Sequence, residues 1–240
     1  MKAETVLIAL PGTMCSPAVF EPLARSLAGD LIVDPVSWLT QPGPWDIPAV
    51  AERVARHIEE KWAGPVLVCG HSTGGAIALQ LAVRRPALVL GLVLADTGAH
   101  MHGHGDVDAI LARIQADWGE ELRAAVLDRS FHVPLSEAAR AEFLRWAAPL
   151  NPQAVYQVLA SQRDLDLTSN LADIRQPTVV VHGRHDRARS PLQGRELAEA
   201  MPNAEFLLVD AGHTPVYETP DAVAIAIRGL LKRAGVRGPV

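Results

Sequence analysis

The chain has 240 residues, enough for one large domain with a well-buried core. Hydrophobic residues make up 49% of it and charged residues 20%, which excludes a disordered chain, and a formal net charge of −5 leaves no general basic footprint for nucleic acid. Two cysteines, Cys15 and Cys69, are too few for a disulfide framework, and no apolar run approaches the roughly 18 residues of a membrane span.

The first apolar run, Val6 to Leu10, follows Lys2 and Glu4 and is broken at once by Pro11-Gly12. It is too short for a secretory signal, so the chain reads as cytoplasmic. Residues 5–10 read as a fully buried strand, 16–28 as a helix with Leu23 and Leu27 on one face, and 31–36 as a second strand. Within 47–62, Ile47, Val50, Val54 and Ile58 recur at helical spacing. A β-branched run over 65–69 leads into Gly70-His71-Ser72-Thr73-Gly74-Gly75, an alanine-rich helix follows over 74–84, and 89–95 is another buried strand. Strands alternate with helices, which implies a doubly wound parallel sheet with helices on both faces.

The alternation stops at Thr97. Up to about Gln176 there are only helical patterns, over 107–118, 120–129, 136–147 and 152–162. Strand and helix then resume over 177–182, 191–200, 204–209 and 221–234. The reading is an α/β core of residues 1–97 and 177–240, about six strands and all parallel, with a helical insertion over 98–176.

The pattern Gly70-x-Ser72-x-Gly74 lies between a strand and a helix, where such a turn lifts a serine hydroxyl clear of the backbone. An ordinary turn serine is the plain alternative. A serine nucleophile needs a base, and the base needs an acid to orient it. In an open parallel sheet both belong in loops at the carboxyl ends of strands. Two such loops carry them: Gly183-Arg184-His185-Asp186, and Asp210-Ala211-Gly212-His213-Thr214-Pro215. Ser72, Asp186 and His213 then follow in the order nucleophile, acid, base.

With these pieces in place the chain resembles the α/β-hydrolase superfamily. The matching segments are Pro11-Gly12-Thr13, the elbow around Ser72, His182-Gly183-Arg184-His185-Asp186, and the run from Gly212 to Pro220. The resemblance implies an oxyanion hole made by the backbone N–H groups of Thr13 and Thr73, no cofactor and no metal. It also implies that the insertion is a cap. Within the superfamily the chain looks most like the small helical-cap esterases and enol-lactonases. Two departures stand out. The family's antiparallel hairpin before the first strand is missing, and Pro11-Gly12 replaces the commoner His-Gly. Some family members carry the acid where Asp96 stands, so Asp96 is the rival to Asp186.

The implied activity is hydrolysis of a small-molecule carboxylic ester, lactone or thioester, with an anionic or carrier-bound acyl substrate compatible with Arg184, Arg187 and Arg189 around Asp186. A solvated charged face is the plainer reading of those arginines. A perhydrolase, C–C hydrolase or lyase on the same triad, or a receptor with an idle triad, are the other readings. Neither nucleic acid nor membrane is an expected partner.

His71 is expected to pack or hydrogen-bond beneath the elbow, His182 and His185 to be structural, and Asp210 to cap a strand end. The loop His100-Met101-His102-Gly103-His104-Gly105-Asp106 invites a metal reading, but no partner motif stands elsewhere. It also suits a cap entrance, with His100 or His102 reaching substrate. Cys15 is a candidate for the pocket lining, and nothing near it marks it as activated. Met14, Trp38, His100, Phe143, Trp146 and Tyr217 are the candidate substrate contacts. Phe143 and Trp146, three apart, share a helical face by spacing. The aromatics of the insertion, Trp118, Phe131, Phe143, Trp146 and Tyr156, are candidates to face the site, and at helical spacing most of them are expected to be core.

Overall fold

The computed structural model describes residues 5–105 and 107–235. Six strands form one sheet: β1 (Val6–Leu10), β2 (Ile32–Pro35), β3 (Val66–His71), β4 (Val89–Ala95), β5 (Thr178–Gly183) and β6 (Ala204–Val209). Their order is β2-β1-β3-β4-β5-β6, and every neighbouring pair is parallel. The expected all-parallel sheet, with no antiparallel hairpin among the described residues, is what the chain adopts.

Among the described residues ten α-helices connect or flank these strands: α1 (Glu21–Ser26), α2 (Ile47–Lys61), α3 (Thr73–Arg84), α4 (Val107–Ala116), α5 (Glu120–Arg129), α6 (Glu137–Ala147), α7 (Pro152–Asp164), α8 (Pro191–Glu199), α9 (Pro215–Glu218) and α10 (Pro220–Arg233). Strand side chains alternate between two buried layers. Ile8, Leu10, Val68 and Leu92 pack with α2, α3 and α8, while Leu7, Ala9, Leu67 and Val93 pack with α1 and α10. A sheet covered on both faces must be apolar on both, which is why β1, β3 and β4 read as near-continuous hydrophobic runs.

The amphipathic pattern of α2 buries Ile47, Val50, Val54 and Ile58 to 1% exposure or less. Asp46 caps its first turn by accepting from Ala49 N–H at 2.9 Å. The helix expected over 16–28 is instead broken into a 3-10 turn, Pro17–Phe20, and the short α1. Pro22 in the first turn of α1 has no N–H to continue the turn behind it. The short α9 went unread in the sequence; Pro215 at its first position pre-sets the backbone for it.

Helices α4 to α7 all stand between β4 and β5. One bond ties them to helix α2 and another closes the base of their segment. Ser161 on α7 accepts from the N–H of Ile47 at 2.9 Å, and Leu167 N–H donates to Ala99 O at 2.9 Å. No helix among the described residues is long and apolar enough to cross a membrane.

Candidate active site

The turn between β3 and α3 places Ser72 at φ +53 and ψ −120. For a non-glycine residue that backbone costs of order 1–3 kcal/mol and persists only where its surroundings hold it. Ser72 N–H donates to Ala95 O at 2.9 Å, and its carbonyl accepts from Gly75 N–H and from Thr97 Oγ1, both at 2.8 Å. The flanking glycines are required by space. A Cβ on Gly70 would stand 2.4 Å from Gly74 O, and one on Gly74 would stand 2.0 Å from Leu10 O.

Loops from three strand ends meet at this turn. Ser72 Oγ lies 2.9 Å from His213 Nε2, and His213 Nδ1 lies 2.7 Å from Asp186 Oδ2. Burial opposes the charge of Asp186, but the adjacent His213 and hydrogen bonds from His182 and His213 hold its carboxyl far below the usual range. An ionised carboxylate only accepts, so Nδ1 of His213 is the donor, which leaves Nε2 facing the Ser72 hydroxyl. The other oxygen of Asp186 accepts from the N–H groups of Ala188 and Arg189 at 2.7 and 3.0 Å.

Asp96 lies beneath this chain, fully buried, with Oδ1 accepting from Gly183 N–H at 3.0 Å and Oδ2 buried without a partner. Burial, and then the charge of Asp186, push its carboxyl well above the usual range, which favours the protonated form. Its hydrogen bond goes to backbone and not to His213. His182 lies between the two acids, 3.4 Å from Asp96 Oδ1 and 3.3 Å from Asp186 Oδ2. Its Nε2 lies 3.1 Å from Arg189 O. His185 pairs with Asp210 at 2.7 Å and stacks on His132 at 3.7 Å, which gives Asp210 a partner beyond a strand-end cap.

Ser72 and His213 open into a cavity of about 430 Å³. Its apolar wall includes Met14, Ile110, Leu122, Val126, Phe131 and Phe143, contributed mainly by α4, α5 and α6. Thr13 and Thr73 also border it. The N–H of Thr73 heads α3, where first-turn N–H groups have no intrahelical acceptor. Thr13 N–H has no backbone acceptor among the described residues.

Of the candidate substrate contacts, Met14 and Phe143 reach this cavity, and four do not. Trp38 is 1% exposed and sits under the loop, donating from Nε1 to Pro11 O at 2.9 Å, so it supports the segment carrying Thr13. His100 accepts at Nδ1 from His102 N–H and stacks on the His102 ring at 4.5 Å, which turns it into its own loop. His104 lines the cavity instead. Burial, then the nearby charges of Arg189 and His213, push His104 down to about 4. Asp106 lies outside the described residues.

Trp146 packs on the main core, its three-residue offset from Phe143 having carried it around α6. Tyr217 stands behind the wall, edge-on to Phe131 and Phe143 at 5.6 and 5.8 Å. Cys15 borders the cavity, and burial pushes its thiol up to about 12. Of the insertion aromatics that are candidates to face the site, Phe131 borders the cavity along with Phe143, while Gln162 is a lining residue the sequence reading does not single out. Gln162 continues the buried stripe Ala154, Val155 and Val158 of α7, and a polar residue on an apolar stripe was the available signal.

The profile of the Alpha/beta hydrolase family matches residues 6–226. A pimeloyl-[acyl-carrier protein] methyl ester esterase of Neisseria meningitidis is 25% identical over 217 residues, covering 82% of this chain and 83% of that protein. Two crystal structures superpose with a TM-score of 0.85: a hydrolase from Pseudomonas aeruginosa (22% identity, 95% of this chain and 90% of the other) and an enol-lactonase from Burkholderia xenovorans (21% identity, 95% and 92%). At these identities the structural likeness carries the fold alone, and the profile match over most of the sequence carries the kinship: the chain belongs to the alpha/beta hydrolase family.

Proposed function

We propose that this protein is a serine hydrolase of small carboxylic esters, lactones or thioesters, with Ser72 as nucleophile, His213 as base and Asp186 as the acid that orients it. The observation that carries the reading is the hydrogen-bonded run from Ser72 Oγ through both nitrogens of His213 to Asp186 at the edge of an apolar cavity. In this reading His213 takes the Ser72 proton as Oγ attacks the substrate carbonyl. The N–H groups of Thr13 and Thr73 stabilise the oxyanion, each contributing about 3 kcal/mol. The leaving group takes the proton from His213. Water, deprotonated by His213, then releases the acyl group and regenerates Ser72. The helices over 98–176 serve as the cap that shapes the acyl pocket.

The test is a serine-directed fluorophosphonate with intact-mass readout, alongside the pre-steady-state burst with a short-chain p-nitrophenyl ester. Labelling of Ser72 and a burst, both absent in Ser72→Ala, are expected. A wild-type protein that neither labels nor turns over would leave the idle-triad receptor reading standing. A perhydrolase, C–C hydrolase or lyase outcome would show as labelling without net ester hydrolysis.

A carrier-bound or otherwise anionic acyl substrate has an observation of its own. A second cavity of about 480 Å³, bordered by Arg129, Arg187 and Arg189 and also by Asp186, shares His104, Ile110, Arg129, Ala188 and Arg189 with the first. Arg187 donates to the carbonyls of Asp128 and Phe131, and Arg189 to His100 O, Gln193 Oε1 and Met101 Sδ, all uncharged acceptors. Three arginines against the one Asp186 carboxylate leave this mouth with an excess of positive charge, which favours an anionic group there. A dicarboxylic monoester should therefore exceed its neutral diester in kcat/KM, with an advantage that shrinks as salt rises.

A further inference from the structure

A polar thread crosses the otherwise apolar pocket. Thr13 Oγ1 donates to Thr73 Oγ1 at 2.7 Å, and Thr73 Oγ1 donates to Gln162 Oε1 at 2.8 Å. A hydroxyl has one proton to give, so the direction is fixed, and Gln162 is used as an acceptor through Oε1. Its amide NH₂ is left with two protons to place. Gln162 is 6% exposed and borders the cavity. Among the described residues Nε2 has no hydrogen-bond partner, and it is not sealed off from the cavity space.

The position of this amide relative to the reacting centre follows from the chain itself. Thr73 is the residue after Ser72 and the second proposed oxyanion donor. With Oε1 at 2.8 Å from Thr73 Oγ1, amide geometry keeps Nε2 within about 5 Å of that hydroxyl. It can therefore reach an atom only a few bonds from a carbonyl attacked by Ser72. A plain alkyl chain packed against Nε2 would strand a buried donor, whereas an oxygen there would satisfy it.

We propose that Gln162 is a specificity-determining residue whose amide Nε2 donates to an oxygen carried by the acyl group close to the reacting carbonyl, selecting oxo- or alkoxy-substituted acyl esters over plain alkanoyl ones. This rests on the serine-hydrolase reading and names a substrate class for it. The thread also couples the insertion to the oxyanion loop, because Gln162 belongs to α7 while Thr13 and Thr73 belong to the core.

The experiment compares two p-nitrophenyl esters of equal length, one alkanoyl and one alkoxyacetyl with oxygen replacing a methylene. Both are measured on wild type, Gln162→Leu and Gln162→Glu at pH 8. The comparison is the alkoxyacetyl-to-alkanoyl ratio of kcat/KM in each protein, so the greater intrinsic reactivity of the alkoxyacetyl ester cancels between proteins. Gln162→Leu removes donor and acceptor, while Gln162→Glu keeps an acceptor for Thr73 and removes the amide donor. The expected result is a ratio about tenfold lower in both variants than in wild type. Should the Leu variant fail to fold, the Glu variant decides alone. Equal ratios across the proteins overturn this assignment and leave the hydrolase reading intact. A wild type that turns over neither ester overturns both.

Discussion

His71 and His213 are joined at 2.7 Å, His71 donating from Nε2 to the main-chain carbonyl of His213. The residue before Ser72 thus holds the residue that Ser72 faces. Burial, and then the charge of His213, push the His71 imidazole down to about 3, so it is neutral at working pH with Nε2 protonated. The expectation that His71 sits beneath the elbow is met, and the bond gives it a task there. His71→Leu removes the donor at similar volume and strands a buried carbonyl, at a cost of about 1–3 kcal/mol in stability. The loosened base should lower kcat by about 10- to 100-fold with a smaller change in KM. Thermal unfolding and steady-state kinetics check both, and an unchanged kcat would remove His71 from the positioning of His213.

The two buried acids separate on charge. Asp186 is held toward its ionised form and bonded to His213, while Asp96 is pushed toward its protonated form and bonded to the Gly183 N–H. Asp186→Asn should therefore reduce kcat roughly 10⁴-fold, since the amide no longer fixes the imidazole tautomer. Asp96→Asn keeps the acceptor for Gly183 and stays close in shape to the protonated acid, so kcat should remain within a few-fold of wild type. The reverse ranking would transfer the acid role to Asp96.

Stability against pH gives the same pair a second signature. A buried acid whose native pKa is raised binds a proton that the unfolded chain has released, so Asp96 costs stability as pH rises from about 4 through its native pKa. Asp186 acts oppositely: its contribution is present above about pH 4 and is lost as acid protonates it. Asp96→Asn removes the first effect and leaves the second. Its Tm relative to wild type should therefore climb between pH 4 and pH 8, and a difference that is flat or falls over that range would mean that Asp96 is ionised.

Much of this arrangement was legible in the sequence, and the illegible part has a physical cause. Ser72 and Asp186 follow the fully buried strands β3 and β5, His213 follows the partly buried edge strand β6, and strand ends are fixed by apolar runs that any parallel sheet needs. The glycines of the elbow were readable for the same reason, as only a missing Cβ lets Leu10 O approach Gly74. Pocket residues were less so. Trp38 and Met14 lie in loops beside strand ends, yet one is turned under the loop and the other into the cavity, and composition does not encode that turn. His100 and His104 share one loop, but a ring stack with His102 holds the first away while the second faces the cavity. Phe143 and Trp146 are three apart, but an α-helix separates such residues by about 60°, enough to send one to the pocket and the other to the core.

Cys15 provides a negative prediction. It borders the cavity, but its thiol is pushed up to about 12 by burial and so holds almost no thiolate at neutral pH. Iodoacetamide at pH 7.5 should leave esterase turnover intact over the time in which free cysteine is consumed, and Cys15→Ser should retain the fluorophosphonate labelling of Ser72. Rapid inactivation by alkylation, prevented in Cys15→Ser, would place a reactive thiol at the site.

The last prediction concerns the loop that carries His213, the proposed base. Glu218, on the short helix after His213, accepts from Gly212 N–H at 2.9 Å through one oxygen. Its other oxygen accepts from His132 N–H at 2.8 Å. One carboxylate therefore fastens the His213 loop to the segment between α5 and α6, next to the cavity wall at Phe131. Glu218→Ala strands both donors and should cost about 1–3 kcal/mol for each N–H that water does not reach. Glu218→Gln keeps one carbonyl acceptor but turns an NH₂ toward the other donor, so it should fall between Ala and wild type. Because the fastening joins the proposed base His213 to the segment between α5 and α6, kcat should drop in the order Gln then Ala. Limited proteolysis near 130–133 should speed up in the same order. Loss of stability without either change would confine Glu218 to the local loop fold and detach it from the geometry of His213.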